Sequence, residues 1–117
     1  MKPFPEEHEL IWLFESEPKL TDKDVIWYYN DLTFTIERGS DYVECVISPA
    51  YGEIKLRWSR DGVELVHLDV KSVASLEVIK ATDADLLKAT FKEGNRLRPL
   101  LIRLKPSVWI SWGVDID

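Results

Sequence analysis

The sequence predicts a mainly β fold, an antiparallel meander of about eight or nine short strands that close into a sandwich or a strongly bent sheet. A short N-terminal helix is the most helical content it admits, making the chain α+β at most. Three observations carry this reading. Apolar and polar residues alternate from Leu32 to Trp112, turn signals punctuate that pattern at short intervals, and the 117 residues include 5 Trp, 4 Tyr and 4 Phe. Such a length fits a single domain over 1–117, and 45% hydrophobic residues suit a packed core and not a disordered chain.

Pro5 suits a first helical turn, and Glu6 and Glu7 complement the positive end of the helix dipole. Leu10, Ile11, Leu13 and Phe14 then form one helical stripe, and Pro18 stops the element by Glu17. The run is short, so a strand over Leu10–Glu15 competes with the helix. Thr21 and Asp24 have capping-box spacing, but Val25-Ile26-Trp27-Tyr28-Tyr29 is β-branched and aromatic and reads as a strand ending in a turn or bulge at Asn30-Asp31.

From Leu32 the period is two. Leu32, Phe34 and Ile36 face inward, Arg38-Gly39-Ser40 turns, and Val43, Cys45 and Ile47 face inward again. Pro49 to Gly52 connects to Ile54, Leu56 and Trp58, with Lys55 and Arg57 outward. Asp61-Gly62 is a hairpin signal, and Val63 to Val70 follows as a strand. Further strands are expected over Leu76–Ala81, Leu86–Lys92 and Leu97–Leu104, with turns at Thr82–Asp85 and Glu93-Gly94-Asn95. Pro106 breaks the chain before Val108, Ile110 and Trp112 alternate in the last strand. Core packing is the default for Trp58, Trp109 and Trp112, although Trp109 and Trp112 fall on opposite faces.

Charge is uneven. Residues 1–53 hold twelve acids against four bases, a net of −8, whereas the remainder carries +2 within the total of −6. An acidic half repels phosphate backbones and attracts basic surfaces, so nucleic acid is not the expected partner. The basic side chains of Lys55, Arg57 and Arg60 sit among Glu53, Asp61 and Glu64 and read as a solvated face. No apolar run approaches the roughly 20 residues of a membrane span, and the N-terminus lacks a signal-peptide pattern. No membrane partner and a cytoplasmic location are the expectation.

Sites of chemistry are sparse. The glycines are isolated and form no phosphate loop, and there is no Cys/His cluster for zinc. Cys45, the single cysteine, alternates with Val43 and Ile47 and reads as a buried thiol. Asp22-Lys23-Asp24 lacks the glycine and distal glutamate of a calcium loop. His67 and Asp69 share a strand face and form the one acid–base candidate, as an enzymatic or small-ligand alternative. No metal or cofactor is expected.

Leu13-Phe14-Glu15-Ser16-Glu17-Pro18-Lys19-Leu20-Thr21-Asp22-Lys23-Asp24-Val25 resembles the small immunity proteins of bacterial polymorphic-toxin systems. A short helix closes on a Leu-Phe pair, and a Pro, a Leu and an Asp follow before the first strand. Val70 to Val78, with Val73 and Leu76 closing one strand into the next, is similar in style to the same group, nearest to the immunity protein 50 family. The resemblance spans the first part of the chain and one later hairpin. It implies a protein that binds and neutralises a cognate toxin without catalysis, and it supplies no interface residue.

The residues themselves point the same way. A non-catalytic binding protein would use its acidic half and outward tyrosines against a basic protein partner, with Glu15, Glu17, Asp22, Asp24, Tyr28, Asp31, Tyr42 and Glu44 as the candidate contacts. A structural or assembly module that forms a homo-oligomer is the third class.

Overall fold

Strong alternation with tight turns produces hairpins, and hairpins laid side by side produce antiparallel sheets. The computed structural model describes residues 1–92, 94 and 96–114 and contains two of them. The helix α1 (Glu7–Phe14) and strand β1 (Lys19–Leu20) come first. Strands β2 (Leu32–Arg38), β3 (Asp41–Ser48), β4 (Glu53–Arg60) and β5 (Val63–Val70) then complete a five-stranded meander in the order β1-β2-β3-β4-β5. The chain crosses at Lys71-Ser72 into β6 (Val73–Lys80), β7 (Asp85–Phe91), β8 (Leu100–Lys105) and β9 (Trp109–Ser111), which pair in sequence order as a second sheet.

The inward rows of both sheets meet in one core. Phe34, Val43, Cys45, Ile47, Ile54 and Leu56 from the first sheet and Leu76, Leu87, Leu100, Ile102 and Leu104 from the second are fully buried there. The helix adds Leu10, Leu13 and Phe14, and the Phe14 ring stacks on Phe34 at 4.7 Å between centroids. Its C-terminal end is tied to both sheets. Glu15 pairs with Arg38 of β2 at 2.6 Å, and Lys105 of β8 donates from Nζ to the Trp12 carbonyl at 3.1 Å, where a cation opposes the negative end of the helix. Trp12 itself lies against the ammonium groups of both Lys80 and Lys105, each 4.2 Å from its ring centroid.

Several sequence expectations shift. Val25–Tyr29 is not a strand: Trp27–Tyr29 forms one turn of 3-10 helix, because Trp27 and Tyr28 pack on Phe4 (centroids 5.2 and 5.9 Å) and so are withdrawn from sheet pairing. The capping-box spacing of Thr21 and Asp24, set aside in favour of a strand, starts no helix. The Asp22 carboxylate accepts the Asp24 N–H at 3.0 Å in a local turn. Strand β6 begins at Val73, earlier than Leu76, while β8 begins at Leu100, later than Leu97, since Pro99 removes a ladder donor and restricts Arg98. Leu97 makes only an isolated bridge to Val114. Of the Glu93-Gly94-Asn95 turn, Glu93 and Asn95 lie outside the described residues, and Gly94 has a positive φ of 90°. Trp58 is half-buried, whereas Trp109 on β9 and Trp112, just past the end of that strand, are both exposed, at 43% and 37%.

The β3–β4 connection is fixed by a short 3-10 turn over Pro49–Tyr51 that closes on Gly52 with φ +65°. A Cβ built at Gly52 would stand 2.9 Å from the Val73 carbonyl oxygen, and the Val73 N–H donates to the Gly52 carbonyl at 3.0 Å. This glycine therefore serves two needs, a left-handed conformation and the close approach of the strand that opens the second sheet. Gly39 has φ +60° but open space around it. Urea unfolding should show Gly52→Ala costing about 2–3 kcal/mol and Gly39→Ala about 1 kcal/mol, the difference being the backbone clash.

Candidate protein-binding surface

The outer face of the five-stranded sheet is built by register. The turn at Gly39-Ser40 sets Arg38 opposite Asp41, and alternation then places Glu37 opposite Tyr42 and Thr35 opposite Glu44. The β3–β4 ladder continues the rows, Tyr42 to Ser59 and Glu44 to Arg57, and the β4–β5 ladder carries them to Glu64 and His67. Two rows result, Glu37–Tyr42–Ser59–Glu64 and Thr35–Glu44–Arg57–His67.

Tyr42, 39% exposed, stands between two shallow grooves. One, of about 270 Å³, runs toward the end of the helix and is lined by Phe14, Glu15, Ser16, Thr35, Ile36, Glu37 and Tyr42. The other, of about 150 Å³, is lined by Tyr42, Glu44, Arg57 and Ser59. The Ser16 hydroxyl donates to the Thr35 carbonyl at 3.1 Å and holds the helix exit against β2. Three carboxylates thus surround one phenol. Glu15 is already paired with Arg38 (2.6 Å) and Lys105 (3.6 Å). Among the described residues Glu37 and Glu44 have no ion-pair partner, because Arg57 turns to Glu64 at 3.0 Å.

Of the residues expected from sequence to contact a partner, the fold brings Glu15, Tyr42 and Glu44 together here. Glu17 is exposed in the connection to β1, outside the groove linings. Asp22, Asp24 and Asp31 belong to a loop organised by Asn30, whose side chain is buried. Asn30 Oδ1 accepts N–H bonds from Asp22 (3.2 Å) and Asp31 (3.0 Å), and its Nδ2 donates to the carbonyls of Asp22 and Val25. The Asp31 carboxylate accepts the Ser48 hydroxyl at 2.6 Å. Tyr28 is half-buried, and its hydroxyl donates to the Met1 carbonyl at 3.2 Å, while Tyr29 is exposed. Sequence reading passed over Glu37, Arg57 and Ser59. The two-residue turn at Gly39-Ser40 was the available signal, since it fixes which side chains stand opposite one another.

His67 and Asp69 both lie exposed on the outward face of β5. The carboxylate that reaches the imidazole is Glu64, at 3.7 Å from Nδ1, while Asp69 stands opposite Lys55. Cys45 is fully buried, and burial pushes its thiol up to about 12, so it stays protonated at neutral pH. Among the described residues no group of three or more His, Cys, Asp or Glu side chains is placed to hold a metal ion, and no helix is long and apolar enough to cross a membrane.

A solved structure shares this architecture. It is a chain of a contact-dependent growth inhibition toxin–immunity protein complex from Klebsiella pneumoniae 342, matched with a TM-score of 0.80 and 23% identity over 94% of each chain. At that identity the likeness establishes the fold alone. No protein-family model and no curated protein matches the sequence.

Two outcomes follow from these networks. Removing the buried Asn30 side chain takes its hydrogen bonds from the backbone at Asp22, Val25 and Asp31, so Asn30→Ala should cost about 1–3 kcal/mol in urea unfolding. Asp41 accepts bonds from Arg60 Nε (2.8 Å) and Trp58 Nε1 (2.9 Å), which hold its carboxyl below the usual range. A lowered folded pKa means stability that is complete above the ordinary carboxylate pKa of about 4 and is lost as pH falls toward the folded value. Urea midpoints measured between pH 6 and about 2.5 should fall less steeply for Asp41→Asn than for the native chain.

Proposed function

We propose that this chain is an immunity-type inhibitor that binds a toxin protein and blocks it without chemistry of its own. The observation that carries the reading is the match to a chain of a toxin–immunity complex over 94% of both chains. The surface we assign to the toxin is the pair of grooves flanking Tyr42, with Glu15, Glu37 and Glu44 as its acidic rim, extended by Glu17 beyond the helix. Asp22, Asp24 and Asp31 add negative potential nearby in sequence, and Tyr28 serves the fold. A basic toxin surface fits this rim, and a cytoplasmic site of action fits a protein that protects the cell making it. An exposed tyrosine in a groove supplies residence time, whereas unpaired carboxylates speed encounter.

The test is binding to a contact-dependent growth inhibition toxin domain, taken from the neighbouring gene where that gene encodes one. Tyr42→Ala should weaken the complex about 30-fold, mainly through faster dissociation. The pair Glu37→Lys with Glu44→Lys should slow association and flatten its salt dependence. Unchanged affinity in all of these variants would sink the assignment of the surface, and failure of the native chain to bind that toxin would sink the immunity reading.

A further inference from the structure

Three of the four sheet edges are short or covered. β1 is two residues long, and β9 is three. The outer edge of β6 is covered by the N-terminal residues: the Lys2 N–H donates to the Ala74 carbonyl at 2.8 Å, and the Leu76 N–H donates to the Pro3 carbonyl at 3.0 Å. β5 is the fourth edge. It runs for eight residues, and among the described residues no strand pairs with its outer side. Val63 and Leu65 are 62% and 48% exposed on it. A long edge with apolar side chains is a template for another strand.

We propose that the strand it accepts is β5 of a second copy of this chain, paired antiparallel about a two-fold axis. The sequence of β5 is self-complementary in one register. The ladder to β4 passes over Leu65, since Trp58 faces Val66 and Ser59 faces Glu64. That bulge puts Glu64 and His67 on the outward row, with Val63 and Leu68 on the inward one. Setting Glu64 of one copy opposite His67 of the other places this carboxylate, which meets Arg57 and His67 within its own chain, against a second imidazole N–H. The same register sets Val63 opposite Leu68 and Leu65 opposite Val66, and the axis repeats every pair. Sliding the copies until Glu64 meets Asp69 would instead oppose two carboxylates, which is unfavourable. Opposed residues of an antiparallel pair share a face, so both Tyr42 grooves would open on the same side of one continuous sheet.

The contact is small, and a charge of −6 on each chain opposes it, so the dimer is weak and strengthens as salt screens the repulsion. Sedimentation equilibrium of the isolated chain at moderate salt should show the mass rising from 13.6 kDa toward twice that value as concentration approaches millimolar. Leu65→Lys should abolish the rise. Glu64→Arg alone and His67→Glu alone should each weaken the dimer by about tenfold, because each acts twice, and the two together should restore it. These side chains are exposed, so circular dichroism should report native folding in every variant. A native chain that stays monomeric overturns the proposal, as does a dimer indifferent to Leu65→Lys or a combined variant as weak as its parents. No toxin is present in the measurement, so its outcome is separate from that of the immunity reading.

Discussion

Two sheets can share a core only if something fixes how they face each other, and here the short helix does so. Leu10, Leu13 and Phe14 enter the core, the Phe14 ring rests on Phe34 of the first sheet, and Lys105 of the second caps the helix carbonyl at Trp12. Glu15 joins Arg38 and Lys105, one cation from each sheet, at the point where the helix ends. Apolar burial supplies most of the stabilisation, since exposed ion pairs contribute little each. The charged contacts determine the angle at which the helix meets the sheets. That angle in turn creates the groove beside Tyr42, because Phe14, Glu15 and Ser16 form one of its walls.

The division of charge along the chain does not become a division between the sheets. β4 and β5, from the less acidic part of the sequence, join the first sheet and bring Lys55, Arg57 and His67 onto the same outer face as Glu37 and Glu44. Arg57 is drawn to Glu64, so two carboxylates beside Tyr42 keep their charge available. Acidic side chains thereby stand beside both grooves and at the end of the helix. The exposed face of the second sheet has a different character: Arg103 stands opposite Trp109 and lies 5.7 Å from its ring centroid, and Leu86 continues the row.

Edges separate the two sheets further. The second sheet is covered by the chain's N-terminal residues on one side and ends in a short strand on the other, whereas the first ends on a full-length β5. The bulge at Leu65 and the charges of Glu64 and Asp69 discourage indiscriminate pairing along that edge. They also leave one register in which a copy of the strand fits.

The sequence by itself determined the strands of β2 to β5, their inward rows and the hairpins at Gly39 and Asp61-Gly62, because period-two alternation and turn chemistry are local properties. It also indicated the short helix, and three of the residues that meet at the grooves. The strand expected over Val25–Tyr29 fails because its β-rich composition is overruled by contacts distant in sequence, Phe4 against Trp27 and Tyr28, and by the bonds of buried Asn30. Only the tertiary structure decided that Asp22, Asp24, Asp31 and Tyr28 lie apart from Glu15, Tyr42 and Glu44. Acidity is a sum over residues and is visible in any order, but a surface depends on which strands become neighbours, and that is set by pairing across the whole chain.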